Sequence, residues 1–295
     1  MPSLKEVRIR INSVNSTRQI TSAMKMVAAS KLRRAQNAIL NMRPYAQKLQ
    51  HIMQDLSSDM EGSDEGLYSA IRDEEKILIV TITSNRGLCG AFNANVVKSA
   101  ISLAEGRYAE QYKKGNLSIM CLGKKGADGL KSYGITPVEV NNEIFDDLTF
   151  DNAVPIAEHL MAEFAEKKYD KIILIYNQFK NAAVQLLQEE QFLPVVESDD
   201  GDTNGEENNS NYIFEPNKEE ILEALVPKAI KVQLYKALLD SFASEHGARM
   251  TAMHKATENA DELIKDLKLT YNKARQASIT NEILEIVGGA EALNN

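Results

Sequence analysis

The chain has 295 residues, 43% of them apolar and 26% charged, with a formal net charge of −8 at pH 7. Such a composition builds one sizeable core with extensions and excludes wholesale disorder, and no run reaches the roughly 18 apolar residues that a membrane span requires. Two cysteines, Cys89 and Cys121, are too few for a disulfide framework and fit a reducing compartment.

Residues 1–58 read as one helix. Stepping alternately by three and four from Leu4 reaches Leu56 with apolar residues at 13 of 16 positions, broken only by the cluster Arg18, Thr21 and Lys25. This is the seven-residue repeat of a coiled-coil stripe. The segment is also basic, with ten Lys or Arg against Glu6 alone in residues 1–54. Its Arg and Ser content is superficially that of an organellar transit peptide, but a register that runs unslipped from Leu4 to Leu56 is expected of retained structure. The basic face either stays solvated or meets a polyanion or an acidic protein surface.

Over residues 75–197 short apolar runs alternate with helical stretches. Ile77–Thr83 reads as a buried strand, followed by a turn and a helix from about Ala91 to Lys113. Leu117–Leu122 is a second strand, Lys124–Tyr133 a helix, and Thr136–Val140 a short third strand. A helix follows over 151–168 with Asp151 as its N-cap, then a fourth strand at Lys171–Tyr176 and two edge strands at Val184–Leu187 and Phe192–Val196. The alternation predicts a small α/β domain with a mainly parallel sheet.

Residues 198–216 contain the tract Asp199–Asn211, which has no large apolar residue and reads as a solvated acidic loop. Residues 217–295 form the last helix, where Pro227 fits a first turn. From Leu225 the heptad stepping reaches Ser278 with 12 of 16 positions apolar. Two such stripes at opposite ends of one chain are each other's simplest partner, as an antiparallel pair in which residue i faces roughly 282 − i. Leu4 then lies opposite Ser278, and Arg18, Thr21 and Lys25 meet Thr257, Glu258 and Asp261 as a polar layer that fixes register. Beyond Ser278 the helix continues alone, with Ile279, Ile283, Leu284, Ile286, Val287, Ala290 and Leu293 around much of its circumference. A single helix with that surface needs a sleeve supplied by a partner; the alternative is a tip folded back on the central domain.

Chemistry is hard to find. The loop TSNRGLCGAFN over 83–93 sits between strand and helix, yet it carries neither GxGxxG nor GxxxxGK[ST], and GKKGADG over 123–129 lacks the Walker spacing. Their glycines are better explained by turning and close packing. His51, His159, His246 and His254 are dispersed, and Asp146 and Asp147 read as loop solvation rather than an acid/base pair. No catalytic, cofactor or metal site is expected.

The residues do resemble a family. TSAMKMVAASKLRRAQ over 21–36, TSNRGLCGAFN over 83–93, ARMTAMHKATENA over 248–260, YNKARQASIT over 271–280 and ITNEILEIVGGAEAL over 279–293 are together similar to the gamma subunits of F-type ATP synthases, in order and from end to end. The resemblance implies a rotor shaft: an antiparallel coiled coil inside a ring of three alpha and three beta subunits, with a Rossmann-like domain that joins epsilon and the membrane c-ring. It implies a non-catalytic subunit, without cofactor, that couples ion flow to ATP synthesis. It also implies a peripheral position on the cytoplasmic face of a bacterial membrane. Residue by residue it implies partner contacts at Met24 and Lys25, at Arg249, and at Arg275, Gln276, Thr280 and Glu282. Asn85 departs from the aspartate common in the family's loop, the acidic tract is an insertion, and the chloroplast regulatory cysteines are missing. A basic coiled coil that binds nucleic acid or serves as a scaffold is the competing reading, disfavoured by the absence of tryptophan and of any base-reading module. A nucleotide-dependent enzyme is a third.

Overall fold

The computed structural model describes residues 3–57, 67–70, 72–195 and 218–294. The acidic tract 199–211 lies outside the described residues. The chain forms two compact units, one of Met1–Ala29 with Arg249–Asn295 and the other of Ser30–Ala248.

Elements follow in the order α1 (Leu4–Ser57), β1 (Ile77–Ile82), α2 (Phe92–Glu105), α3 (Ala109–Lys114), β2 (Leu117–Leu122), α4 (Lys124–Ser132), β3 (Glu139–Asn141), α5 (Phe150–Ala165), β4 (Lys171–Phe179), β5 (Gln185–Leu193) and α6 (Lys218–Asn294). The sheet belongs to the second unit and has the order β3-β2-β1-β4-β5. β1 is parallel to β2 and β4, β2 is parallel to β3, and only β5 runs antiparallel. Because successive side chains point to opposite faces, the apolar run of β1 serves two cores. Leu78, Val80 and Ile82 pack with Leu160 and Phe164 of α5 and with Ile230, Leu234 and Leu238 of α6. Ile77 and Ile79 pack with Val96, Val97 and Ala100 of α2 and Leu130 of α4. A strand covered on both faces needs a continuous apolar sequence, which is why ILIVTI does not alternate.

Four expectations are corrected at this level. The helix expected over 91–113 is two, because Tyr108 turns in to become one of the largest fully buried side chains and Gly106 caps the first piece. The N-cap of α5 is Thr149, whose hydroxyl accepts from Asn152 N at 3.3 Å, and Asp151 sits within the first turn. The two edge strands are one, β5, paired with β4 along its length. Finally, α6 starts at Lys218, so Pro227 lies inside the helix. Its missing N–H removes one backbone bond, and the packing of the following turns on the sheet outweighs that loss.

In the first unit α1 and α6 pair antiparallel. Thr21 Oγ1 and Thr257 Oγ1 are 2.8 Å apart, Arg18 bonds Asp261 at 3.2 Å, and Arg8 donates to the Tyr271 hydroxyl at 2.7 Å. Residue i therefore faces about 279 − i, nearly one turn away from the expected 282, and Leu4 is opposite the Arg275 region instead of Ser278. The polar layer is present at Arg18, Thr21, Thr257 and Asp261, while Glu258 pairs along its own helix with His254 at 3.6 Å. Each threonine hydroxyl has a second acceptor in its own helix, Arg18 O for Thr21 and Met253 O for Thr257, so one can donate across while the other donates back.

That dual bonding makes the pair inexpensive to remove. Replacing Thr21 and Thr257 together by Val should raise the urea midpoint of the coil by the equivalent of up to about 1 kcal/mol, since no acceptor is left buried without an alternative helix donor. The same double variant should broaden register, read as off-register disulfides between cysteines placed at 18 and at positions flanking 261. A lower midpoint with unchanged register would contradict this account.

Candidate functional site

In an open α/β sheet, ligands bind outside the carboxyl ends of the strands where the strand order reverses. Here that point is the end of β1, whose neighbours β2 and β4 lie on opposite sides. The chain fills it with its own residues. Thr83, Ser84 and Asn85 cap the first three amides of α4: Lys124 N donates to Asn85 Oδ1 at 3.1 Å, Lys125 N to Ser84 O at 3.0 Å, and Gly126 N to Thr83 Oγ1 at 2.8 Å. These are the amides that would cradle a phosphate. A Cβ at Gly123, which has φ +109, would lie 2.2 Å from Thr83 O, so glycine is required there by close backbone approach.

The rest of the loop is locked in the same way. Ser84 N and Oγ donate to Asn93 Oδ1 at 2.9 and 3.1 Å, while Asn93 Nδ2 reaches Cys89 Sγ at 3.2 Å. Asn85 also donates its Nδ2 to Asn142 O at 2.7 Å, tying the end of β1 to the segment after β3. An aspartate would keep the bond from Lys124 N and lose this one. Both cysteines are buried and unbridged, and burial pushes the Cys121 thiol up from its usual value, with a Thr81 hydrogen bond opposing it.

Leu88, at the tip of this loop, was not singled out in the sequence. It has φ +63 and is 63% exposed. A bulky side chain in the left-handed region costs about 1–2 kcal/mol, and the locked loop around it holds the strain while presenting the leucine outward. A run of the form NRGLCG contains two glycines that could have taken the turn, which hides the strained position from a sequence reading.

The residues carried over as contacts fall in three environments. Met24 and Lys25 are half-buried on α1, and Lys25 lines a cleft of about 330 Å³ with Met26, Ala29, Met250, Thr251 and His254. Arg249 is buried, only 7% exposed, and belongs to the interior of the chain. Arg275, Gln276, Thr280 and Glu282 are all exposed. At about 100° per residue, Gln276 and Thr280 share one face of α6 while Arg275 and Glu282 share another, so the four do not form a single patch. Every residue from Asn281 to Ala290 is exposed, including Ile283, Leu284, Ile286 and Val287. On α1, Lys5, Arg8, Arg10, Lys31, Arg33 and Arg34 are exposed as well.

Two substitutions test the loop. Asn85→Ala removes both of its bonds and should destabilise the sheet unit by about 1–3 kcal/mol in denaturant unfolding. Leu88→Gly should stabilise it by up to about 1 kcal/mol, the relieved strain being partly offset by the looser unfolded chain. Loss of stability in Leu88→Gly would mean that the exposed side chain supports the fold.

The described residues contain no group of three or more His, Cys, Asp or Glu placed to hold a metal ion. A family described as ATP synthase matches residues 3–293. The ATP synthase gamma chain of Christiangramia forsetii is 59% identical over 296 residues, with 100% of both chains covered. That of Flavobacterium johnsoniae is 57% identical over 297 residues, again with 100% of each covered. Among solved structures, the rotor of the Euglena gracilis mitochondrial ATP synthase superimposes with a TM-score of 0.65 at 25% identity, covering 94% of this chain and 98% of that one. The central stalk and c-ring structure of the Tetrahymena thermophila enzyme gives a TM-score of 0.57 at 28% identity, over 80% and 99%. A helix pair with an exposed apolar end, a sheet whose ligand crevice is filled, and full-length likeness to these chains have one reading: the protein belongs to the ATP synthase gamma-chain family.

Proposed function

We propose that the unit of Met1–Ala29 and Arg249–Asn295 turns inside a ring of three alpha and three beta subunits, and that the sheet unit meets epsilon and the c-ring. The chain is a non-catalytic stalk subunit of F-type ATP synthase, and it couples ion flow through the membrane sector to conformational change at the catalytic beta subunits. In this scheme residues 1–58 and 217–295 are the shaft, 75–197 the foot domain and 198–216 a surface loop. No described helix is long and apolar enough to cross a membrane. This accords with a peripheral subunit, which we place on the cytoplasmic face of a bacterial membrane.

The observation that carries the reading is the exposed apolar end of α6, where Ile286 is 71% exposed. Enclosing one such side chain contributes roughly 1.5–3 kcal/mol, and this contribution has no direction. A sleeve can therefore hold Ile279, Ile283, Leu284, Ile286 and Val287 at every rotation angle, as a bearing must. Torque needs the opposite property. A shaft whose contacts are the same in all orientations shifts no population, and driving one beta subunit from 1:99 to 99:1 between two states takes about 5.5 kcal/mol of preference.

Met24, Lys25, Arg275, Gln276, Thr280 and Glu282 supply angle-dependent contacts in this scheme. Surface ion pairs give about 0–1 kcal/mol each, so these residues act together with the asymmetric shape of the coil and none suffices alone. Arg249, being buried, reaches a partner only through what it holds in place. The filled crevice at the end of β1 stands against a nucleotide-dependent enzyme, and the comparisons give no support to a nucleic-acid binder.

The deciding experiment is capture by alpha and beta subunits with nucleic acid and free ATP as competitors: neither competitor should reduce capture. Displacement by nucleic acid would overturn the assignment of partners. Deleting residues 283–295 should weaken capture by at least about tenfold, roughly 1.4 kcal/mol, while protection of the central sheet in hydrogen exchange stays at the wild-type level. Lys25→Leu should raise the melting temperature of the coil and lower ATP-driven ion uptake in the assembled enzyme. Uptake equal to wild type would remove Lys25 from the contact set.

A further inference from the structure

We propose that the turn between β4 and β5, Lys180–Val184, grips α6 at Gly247 and is the joint through which the sheet drives that helix. The inference rests on the chain's role as a rotor shaft and concerns only the Ser30–Ala248 unit. Gly247 lies inside a long helix, where glycine is about 1 kcal/mol less favourable than alanine. Contact explains its presence. A Cβ there would lie 3.2 Å from Ala182 Cα, 3.3 Å from Ala182 O and 3.5 Å from the Phe179 ring, so the turn rests directly on the helix backbone.

The turn is stiff. Asn181 Oδ1 accepts from Ala183 N at 2.9 Å and from Val184 N at 2.8 Å, Asn181 N donates to Val184 O at 3.2 Å, and Gln185 Nε2 donates to Ala182 O at 3.2 Å. Its two strands are paired from Ile173 with Gln191 to Phe179 with Gln185. A second attachment lies lower on the same ribbon, where Gln233 Nε2 donates to Glu190 Oε1 at 2.7 Å and to Gln191 O at 3.2 Å. Glu190 is itself fixed by the Tyr176 hydroxyl at 2.5 Å. Burial, with the Glu190 and Asp240 carboxylates nearby, pushes that hydroxyl far above its usual range, so it remains a donor.

Gln233 and Gly247 are 14 residues apart, about 21 Å along the axis and within about 40° of the same face. A ribbon bound to one face at two such points can neither slide along the helix nor let it roll. Between them, from Ala237 to Gly247, every residue except Phe242 is buried, so the helix has no free face to turn toward. Gly247 and Asn181 are thus positioning residues, and the sheet and the Gln233–Gly247 stretch of α6 rotate as one piece.

The test uses the complete ATP synthase in inverted membrane vesicles, with three variants: Gly247→Leu, which lifts the turn; Asn181→Ala, which loosens it without touching α6; and Asn181→Asp, which keeps the accepting oxygen. Per assembled complex, ion uptake relative to ATP hydrolysis should fall by at least about threefold in the first two and stay near wild type in the third, the size expected when a coupling contact is disturbed. A purely structural role would lower the amount of assembled complex and leave the ratio unchanged. Wild-type ratios in both Gly247→Leu and Asn181→Ala complexes overturn the proposal. If Gly247→Leu fails to assemble, Asn181→Ala alone decides. Failure of the wild-type chain to assemble would count against the shaft reading instead.

Discussion

One uninterrupted helix must satisfy three environments. Within Lys218–Asn294, α6 is buried on nearly all sides from Ala237 to Gly247, presents a single apolar stripe with Met253, Ala260 and Leu267 buried, and is exposed all round from Asn281 to Ala290. Each regime imposes its own sequence rule. The enclosed part needs residues compatible with contact in every direction, which is why small ones recur there: Ala237, Ser241, Ala243, Ser244 and Gly247. The paired part needs the heptad. The end needs apolar residues without a stripe, which is unfavourable in water unless another chain closes around it. Such a helix has little overall amphipathicity because the three patterns average out.

What could be read in advance follows from this division. The heptads, the polar layer at Arg18, Thr21, Thr257 and Asp261, and the strands at β1, β2 and β4 rest on local periodicity, and the structure carries them. The register did not follow, because apolar stripes in alternative alignments overlap almost equally well and the choice falls to a few polar pairs. Arg8 against Tyr271, bonded at 2.7 Å with the guanidinium 5.7 Å from the ring centre, is one such pair, and nothing in either stripe announces it. The break before Tyr108 and the passage of α6 through Pro227 are cases where tertiary burial overrides local preference. Gly247 was invisible for a different reason: its neighbour Ala182 is far away in sequence, and a glycine in a helix carries no sign of what touches it. Arg249 sits off the heptad stripe, so stripe counting left it outside, while the structure buries it.

The filled crevice at β1 bears on how an α/β sheet serves in a machine without catalysis. A nucleotide-binding domain keeps the amides at that helix N-terminus available for phosphate. Here Thr83, Ser84 and Asn85 take all three, and Asn85 extends the network to Asn142. Each bond contributes about 0.5–1.5 kcal/mol net, but the larger effect is geometric: the ends of β1, β2 and β3 are fixed to one another. Leu88 shows that the network is strong enough to hold a strained backbone at its tip. A domain stiffened in this way suits the transmission of force better than the closure around a ligand.

Stiffness at the sheet and slipperiness at the far end are complementary requirements. If α6 could roll against the sheet, rotation delivered to the sheet would dissipate at that joint. If the apolar end made directional bonds, rotation would meet a barrier at each of them. The bonds are distributed accordingly. Directional contacts, Gln233 with Glu190 and Gln191 and the turn against Gly247, lie where α6 meets its own sheet. Non-directional apolar surface, Ile283 to Val287, lies at the exposed end of the helix. In the shaft scheme the order of these regimes along one helix then sets the direction of coupling: force enters where hydrogen bonds and close packing prevent slip, and it leaves past a bearing whose stabilisation is the same at every angle.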